Sequence, residues 1–489
     1  MPALQTTMDI TPGHSSLRKN LWLLVMCAVV VAFSCFRWPL MYDETWNYNE
    51  TASLGPIYTL THYNFNNHML YAFFMSLLPG KLVALDPFLM RIPNWLTACG
   101  LFALIYLSFG TALRAWRTNG TVIGTVHLLL ATSAVFASAQ LAFYYLVGRG
   151  YLLGCTLALA AIYVRQRRFP SWISDVCLML SAYSVITYTY LWPGVLAVDF
   201  LEEGVSLDAV KRVLWRWSRS TFLLFLAYAS SLTRMRAESQ SYQDFGVLLS
   251  YTQRLLRTTF DAPSLSALLV IGAMVIGIAT YLETRAGLPA PAGAEEPAPL
   301  IAAYLSGAIA SFFVVSEATN GLHIVQTPYV RNASFVSLFS IMAIGLSGIV
   351  WLGRERFKWL ARTAALAVFA VIVFNGWTTA GAIAPPLLTG KYLHFPVSNL
   401  DCPVPINNAF LKSLPKGAEL FCLGYSGSVC WPFQTNITRY GLSYLPGGGD
   451  AFDREPRSNQ CWSGTEAADR SCTLYVRARK GDAFQPLCY

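Results

Sequence analysis

The sequence predicts an α-helical polytopic membrane protein with about eleven transmembrane helices, interfacial helices on the outer face and a small extracytoplasmic C-terminal tail domain. Three observations predict it. First, 55% of the 489 residues are hydrophobic and only 12% are charged, about half the charged fraction of a soluble protein. Such a chain carries too much apolar surface to stay disordered. Second, apolar runs approaching the roughly 17–25 residues of a spanning helix recur along most of the chain. Third, compact basic clusters separate many of these runs, as the positive-inside rule requires of cytoplasmic loops. The formal charge of +9 is absorbed largely by that rule, so the surplus does not point to nucleic acid.

The apolar cores fall at 21–36, 95–113, 121–138, 150–164, 172–186, 187–201, 219–233, 264–282, 300–315, 332–352 and 363–379. The basic clusters are Arg18/Lys19, Arg114/Arg117, Arg165/Arg167/Arg168, Lys211/Arg212/Arg216/Arg219, Arg285 and Arg354/Arg356/Lys358/Arg362. If all of them face the cytoplasm, an even number of helices separates successive clusters. Parity therefore divides 172–201 into two short helices, broken near Tyr188 with Trp192-Pro193 at the interface. It also makes 69–85 a helix lying in or dipping into the outer interface. The N-terminus is expected in the cytoplasm and the C-terminus outside, with no cleavable signal peptide, because Arg37-Trp38-Pro39 closes the first run without a small-residue cleavage site. In a bacterium this places the chain in the inner membrane with a periplasmic C-terminus.

The chain divides into a transmembrane domain, residues 1–384, with a first outer loop at 38–94, and a cysteine-rich C-terminal region, 385–489. Residues 287–299 form a Pro/Ala/Gly-rich cytoplasmic linker. The tail holds six of the eleven cysteines, Cys402, Cys422, Cys430, Cys461, Cys472 and Cys488. An even number on the outer side suits disulfides, in any of fifteen pairings, and the lack of a CxxC pair argues against structural zinc. Cys27, Cys35, Cys99, Cys155 and Cys177 lie in or beside helices as packing residues.

Polar residues gather on the expected outer face. Asp43-Glu44 follows the first helix directly; ionisable groups at that depth are functional candidates, although carboxylates also cap helix starts. Asn66-Asn67-His68 precedes the run Met69-Leu70-Tyr71. His68 could contact an anion or serve as a cap, and the asparagines suit a turn. Arg91, two residues before Pro93, is expected to anchor the next helix at headgroup level. Arg149 and Arg331 stand at outward helix starts, where a guanidinium suits either bidentate capture of a phosphate or contact with lipid headgroups. Glu317 and His323 share the outer loop of Arg331. A loop of some thirty residues beginning at Arg234, Arg236 and Glu238 suits either a substrate cover or a plain connection. The sequons at Asn119, Asn332 and Asn436 decide nothing. No P-loop, GxGxxG or HExxH stretch occurs.

In order and spacing, Asp43-Glu44, Asn66 to Tyr71, Arg91 to Pro93 and Arg149 to Leu153 resemble the GT-C membrane glycosyltransferases that use polyprenyl-phosphate sugars, a group including lipid A aminoarabinose transferases and protein O-mannosyltransferases. The resemblance covers residues 20–165; beyond them it rests on hydropathy and on Tyr329-Val330-Arg331. It implies a GT-C-like fold in which Asp43 is the base and Glu44 positions the acceptor. His68, Asn67, Tyr71, Arg149 and Arg331 would serve donor phosphate or substrate. It implies a polyprenyl-phosphate-sugar donor, a lipid, glycan or protein acceptor, contact with membrane lipids and no nucleic acid. It implies no definite cofactor and no nucleotide site, and a divalent metal could assist, although two adjacent carboxylates do not define a metal site. A lipid or solute transporter or flippase is the competing expectation, and a non-catalytic receptor or assembly protein binding through its tail is another.

Overall fold

The computed structural model describes residues 25–26, 28–36, 38, 40–62, 68–113, 130–131, 134–135, 137–167, 169–204, 206–231, 250–260, 263–286, 297–321 and 333–352, then 403–404, 408–422, 440–445 and 474–486, with isolated positions between. Most of it is helical. Helix α1 covers residues 28–36, and strand β1, Leu40–Met41, leads into α2, Tyr42–Glu50. Short helices α3, Pro56–Thr61, α4, Met69–Ser76, and α5, Gly80–Leu85, follow. The apolar stretch 69–85 is thus two pieces of 8 and 6 residues. Neither is long enough to cross a bilayer.

The helical body consists of α6, Ile92–Leu113, α7, Ala139–Leu146, α8, Gly150–Gln166, α9, Ser171–Ser184, α10, Trp192–Glu203, α11, Leu207–Tyr228, α12, Ser250–Thr258, α13, Pro263–Arg285, α14, Pro297–Gly321, and α15, Phe335–Leu352. Three described helices are long and apolar enough to cross a membrane: Pro87–Gly110, Leu265–Arg285 and Ala298–Thr319. The region 172–201 is two helices, as parity demanded, joined by a 3-10 turn at Ile186–Leu191 with Pro193 in the first turn of α10. There the ring costs no hydrogen bond, because first-turn N–H groups have no intrahelical partner. The expected span at 219–233 is instead the second half of the continuous helix α11. The expected spans 121–138 and 363–379 lie mostly outside the described residues, as do residues 287–296 of the linker expected at 287–299, whose last three residues instead open α14.

Hydroxyls stitch α8 to α9. Ser184, Ser181 and Ser174 donate to the carbonyls of Gly150, Gly154 and Ala161 at 2.7, 2.7 and 3.0 Å. In an apolar medium, where lipid tails give no hydrophobic drive to association, such bonds and close backbone contact hold helices together. Helices α10 and α14 use the second device. A Cβ on Gly194 would stand 1.9 Å from the carbonyl oxygen of Gly307, so the two backbones touch.

At the end of the bundle expected to be cytoplasmic, the basic clusters meet carboxylates. Asp175 accepts from Arg165 at 3.3 Å and from Arg219. Asp199 accepts from Tyr304 at 2.6 Å and lies 3.3 Å from Arg165. Glu203 pairs with Arg212 and Arg216, each at 2.7 Å. The arginines and carboxylates therefore bind α8, α9, α10 and α11 together, and Tyr304 adds α14.

The described part of the tail forms helix α16, Asn408–Ser413, and a four-stranded sheet of order β4-β3-β5-β6. Its strands are β3, Glu419–Cys422, β4, Ser443–Leu445, β5, Leu474–Arg477, and β6, Gln485–Pro486. β3 runs parallel to β4 and antiparallel to β5. Arg477 lies over the Phe484 ring at 4.3 Å and pairs with Glu419. Strand β2, Pro403–Val404, leaves this region to pair with β1. Five of the six tail cysteines and the side chain of Cys422 lie outside the described residues.

Candidate active site

Four segments distant in sequence converge beside β1: the start of α2, the start of α4, the 3-10 turn Pro87–Arg91, and residues 147–150 between α7 and α8. Each has a local reason for its shape. The Asp86 side chain accepts from the Phe88 N–H at 3.1 Å and Pro87 opens the turn. Pro93 follows in the first turn of α6, so the chain passes from one helix type to the other at Arg91. Arg149 is extended, with φ −135° and ψ 155°, and stands at the N-cap of α8.

Arg91 and Glu44 organise the cluster. Both side chains are fully buried. The guanidinium grips the carboxylate with two bonds, Nε to Oε1 at 2.5 Å and Nη2 to Oε2 at 2.6 Å. Nη1 donates to the carbonyls of Cys35 and Trp38, each at 2.6 Å. These carbonyls lie at and just past the end of α1, where helix carbonyls have no intrahelical partner. Arg91 therefore caps the first helix from another part of the chain. The headgroup-level position expected for it is not found, because its charge is satisfied internally.

Glu44 has a third partner. Its Oε1 accepts the Gly148 N–H at 2.8 Å. Only glycine fits at 148, since a Cβ there would lie 2.6 Å from both Glu44 Oε1 and the Tyr71 hydroxyl oxygen. Tyr71 is buried and donates to the Met90 carbonyl at 3.4 Å. Burial, and then the Glu44 carboxylate, push its phenol well above the usual range, so at neutral pH it is a donor and not a base.

His68 is buried at the N-cap of α4, with Nδ1 3.2 Å from the Ser184 carbonyl. A Cβ on Gly150 would meet its Cβ at 2.6 Å. Its ring stands edge-on to Tyr151 at 4.5 Å, and the Arg149 guanidinium lies 5.2 Å from the same ring. Arg149 is 1% exposed. An electron-rich ring face steadies such a cation. Glu44, His68, Tyr71, Arg91 and Arg149 are thus brought together. Asp43 has its backbone in the first turn of α2, but its side chain lies outside the described residues, as do Asn66, Asn67, His323, Arg331 and the loop at 234–249. Glu317 is placed elsewhere, accepting from the N–H and hydroxyl of Thr252 at 2.9 and 2.5 Å.

No known protein family, curated protein or solved structure matches the chain. The sequence assigned no role of their own to three residues of the cluster: Gly148, Tyr151 and Asn94. Asn94 donates to the carbonyls of Tyr144 and Tyr145 at 3.0 and 2.9 Å, fixing the end of α7. The signal available was the pair of glycines flanking Arg149, a mark of tight backbone approach.

Both oxygens of Glu44 are held by Arg91. Among the described residues no group of three or more His, Cys, Asp or Glu could hold a metal ion. A shallow, open apolar depression of about 630 Å³ lies along residues 25–36, where Val25, Val29, Phe33 and Phe36 line it and Trp95 of α6 forms one side.

Proposed function

We propose that this chain is a membrane glycosyltransferase of GT-C type. In this reading it has about eleven spans, lies in a bacterial inner membrane with its N-terminus cytoplasmic, and moves a sugar from a polyprenyl-phosphate donor to a lipid, glycan or protein acceptor on the outer face. One observation carries the reading. The hydrogen bond from the Gly148 N–H to Glu44 joins the two segments whose next residues are Asp43 and Arg149. A carboxylate and a guanidinium are the two groups that displacement of a lipid phosphate needs, and each is the chain neighbour of a residue in this bond. The apolar depression beside α1 adds support, because a lipid-borne donor needs a place for its chain.

Each group has one task. The acceptor hydroxyl or amine attacks the anomeric carbon as Asp43 takes its proton. The bond from that carbon to the phosphate oxygen breaks, and polyprenyl phosphate leaves with the electron pair, most simply with inversion. Arg149, joined by Arg331, neutralises charge growing on the phosphate. His68 and Asn67 stand next to the donor, and Tyr71 and Glu44 hold the frame. Glu44 thus acts as a positioning residue whose effect on the acceptor is indirect.

The test is transfer from a panel of labelled polyprenyl-phosphate sugars in reconstituted membranes. Asp43→Asn is expected to stay folded and bind donor while transfer falls by about 10²–10⁴, the usual share of a general base. Near-normal turnover in that variant would reject the assigned base.

A further inference from the structure

The segment from Trp38 to Glu44 is closed from within by a single side chain. Arg91 holds the Trp38 carbonyl at one end and the Glu44 carboxylate at the other, at 2.6 and 2.5 Å. Strand β1 lies inside that segment, and Asp43 comes two residues after it. The edge of β1 is taken by the C-terminal region, more than 350 residues further along the chain, with Leu40 opposite Val404 and Met41 opposite Pro403. Such a pairing costs loop-closure entropy. It gains little by itself, since β2 is only two residues long.

We propose that the C-terminal region is a strap on the candidate active site. Through β2 it fixes the 38–44 segment from outside, and with it the backbone of Asp43, so the tail is a constituent of the site and not a detached binding module. This rests on Asp43 as the base for its catalytic consequence, but not for its structural one. Leu40 is fully buried, so the strand cannot slip by one residue without turning that side chain out of the core. The register is therefore fixed on the body's side, and the strap's contribution is to hold the edge down. Proline at 403 has no N–H, which leaves Val404 as the only backbone donor on β2.

That chemistry gives the test. Val404→Pro removes the remaining donor, whereas Val404→Ala keeps it. Amide hydrogen exchange of the purified full chain is followed over Leu40–Glu50 and, as an internal control, over Gly150–Gln166. The strap predicts exchange at least tenfold faster in the first segment for Val404→Pro, no change in the second, and wild-type behaviour for Val404→Ala. It predicts in addition that kcat for sugar transfer falls at least tenfold while donor affinity is retained. Unchanged exchange over Leu40–Glu50 overturns the strap. Faster exchange with kcat unaltered overturns its role in the site. Absence of transfer in the wild-type chain counts against the glycosyltransferase reading and leaves the exchange result to decide the strap. Should Val404→Pro not accumulate in folded form, a protease site inserted within 388–398 is cut after purification and the tail removed. Exchange over Leu40–Glu50 must then rise, and an unchanged rate overturns the proposal.

Discussion

Removing Arg91 gives the most direct test of the buried frame. Arg91→Met keeps much of the side-chain volume but deletes two bonds to Glu44 and two to the carbonyls of Cys35 and Trp38. It leaves a fully buried carboxylate without its guanidinium. Breaking one side of such a pair costs about 3–5 kcal/mol. With an unfolding entropy of about 2.1 cal/mol/K per residue, a chain of 489 residues has ~1 kcal/mol/K at its midpoint. The loss thus lowers Tm by about 3–5 °C if the chain unfolds as one unit, read by tryptophan fluorescence in detergent at one fixed scan rate. Arg91→Lys is expected to behave almost as badly, since an ammonium cannot span four acceptors in one plane. The double variant Arg91→Met/Glu44→Gln removes the uncompensated charge and should recover at least ~1.4 kcal/mol of the sum of the single losses. A Tm for Arg91→Met within about 1 °C of wild type, or strict additivity in the double variant, would show that the pair does not carry the frame.

Gly148→Ala forces a methyl group against Glu44 and Tyr71, and overpacking of that kind costs about 1–3 kcal/mol. It should lower both Tm and transfer, whereas Gly272→Ala, with nothing within 4 Å of the added carbon, should do neither. Asp175→Asn leaves Arg165 and Arg219 short of a carboxylate and is expected to destabilise the bundle by about 3 kcal/mol, with the KM for donor unchanged in whatever fraction remains folded. In the oxidised protein, alkylation and peptide mass mapping should find the six tail cysteines joined as three disulfides. Six free thiols would contradict an external tail.

Much of the fold was legible because hydropathy and charge parity are averages over many residues. The break between α9 and α10 followed from counting helices between basic clusters. The buried pairing of Glu44 with Arg91 was not legible, because the two lie forty-seven positions apart and nothing in an Arg-x-Pro stretch says which carboxylate it will meet. Asp175, Asp199 and Glu203 were passed over for a different reason. The rule that a buried ionisable group needs a partner applies equally at both ends of the bundle, and their apolar surroundings in 172–203 carried that signal. Short helices also escaped a length rule: α9 and α10 have 14 and 12 residues, so composition predicts crossings there that length alone does not.

Helix α8 is held at both ends. Gly150 and Tyr151 fasten its start to Ser184 and His68, and Arg165 fastens its last turn to Asp175 and Asp199, about 22 Å away at ~1.5 Å rise per residue. A rod bolted at both ends can neither slide along its axis nor rotate about it without breaking charged contacts at one end. The bracing of α8 therefore ties the cluster around His68 to the ion pairs at the far end of the bundle as one rigid member.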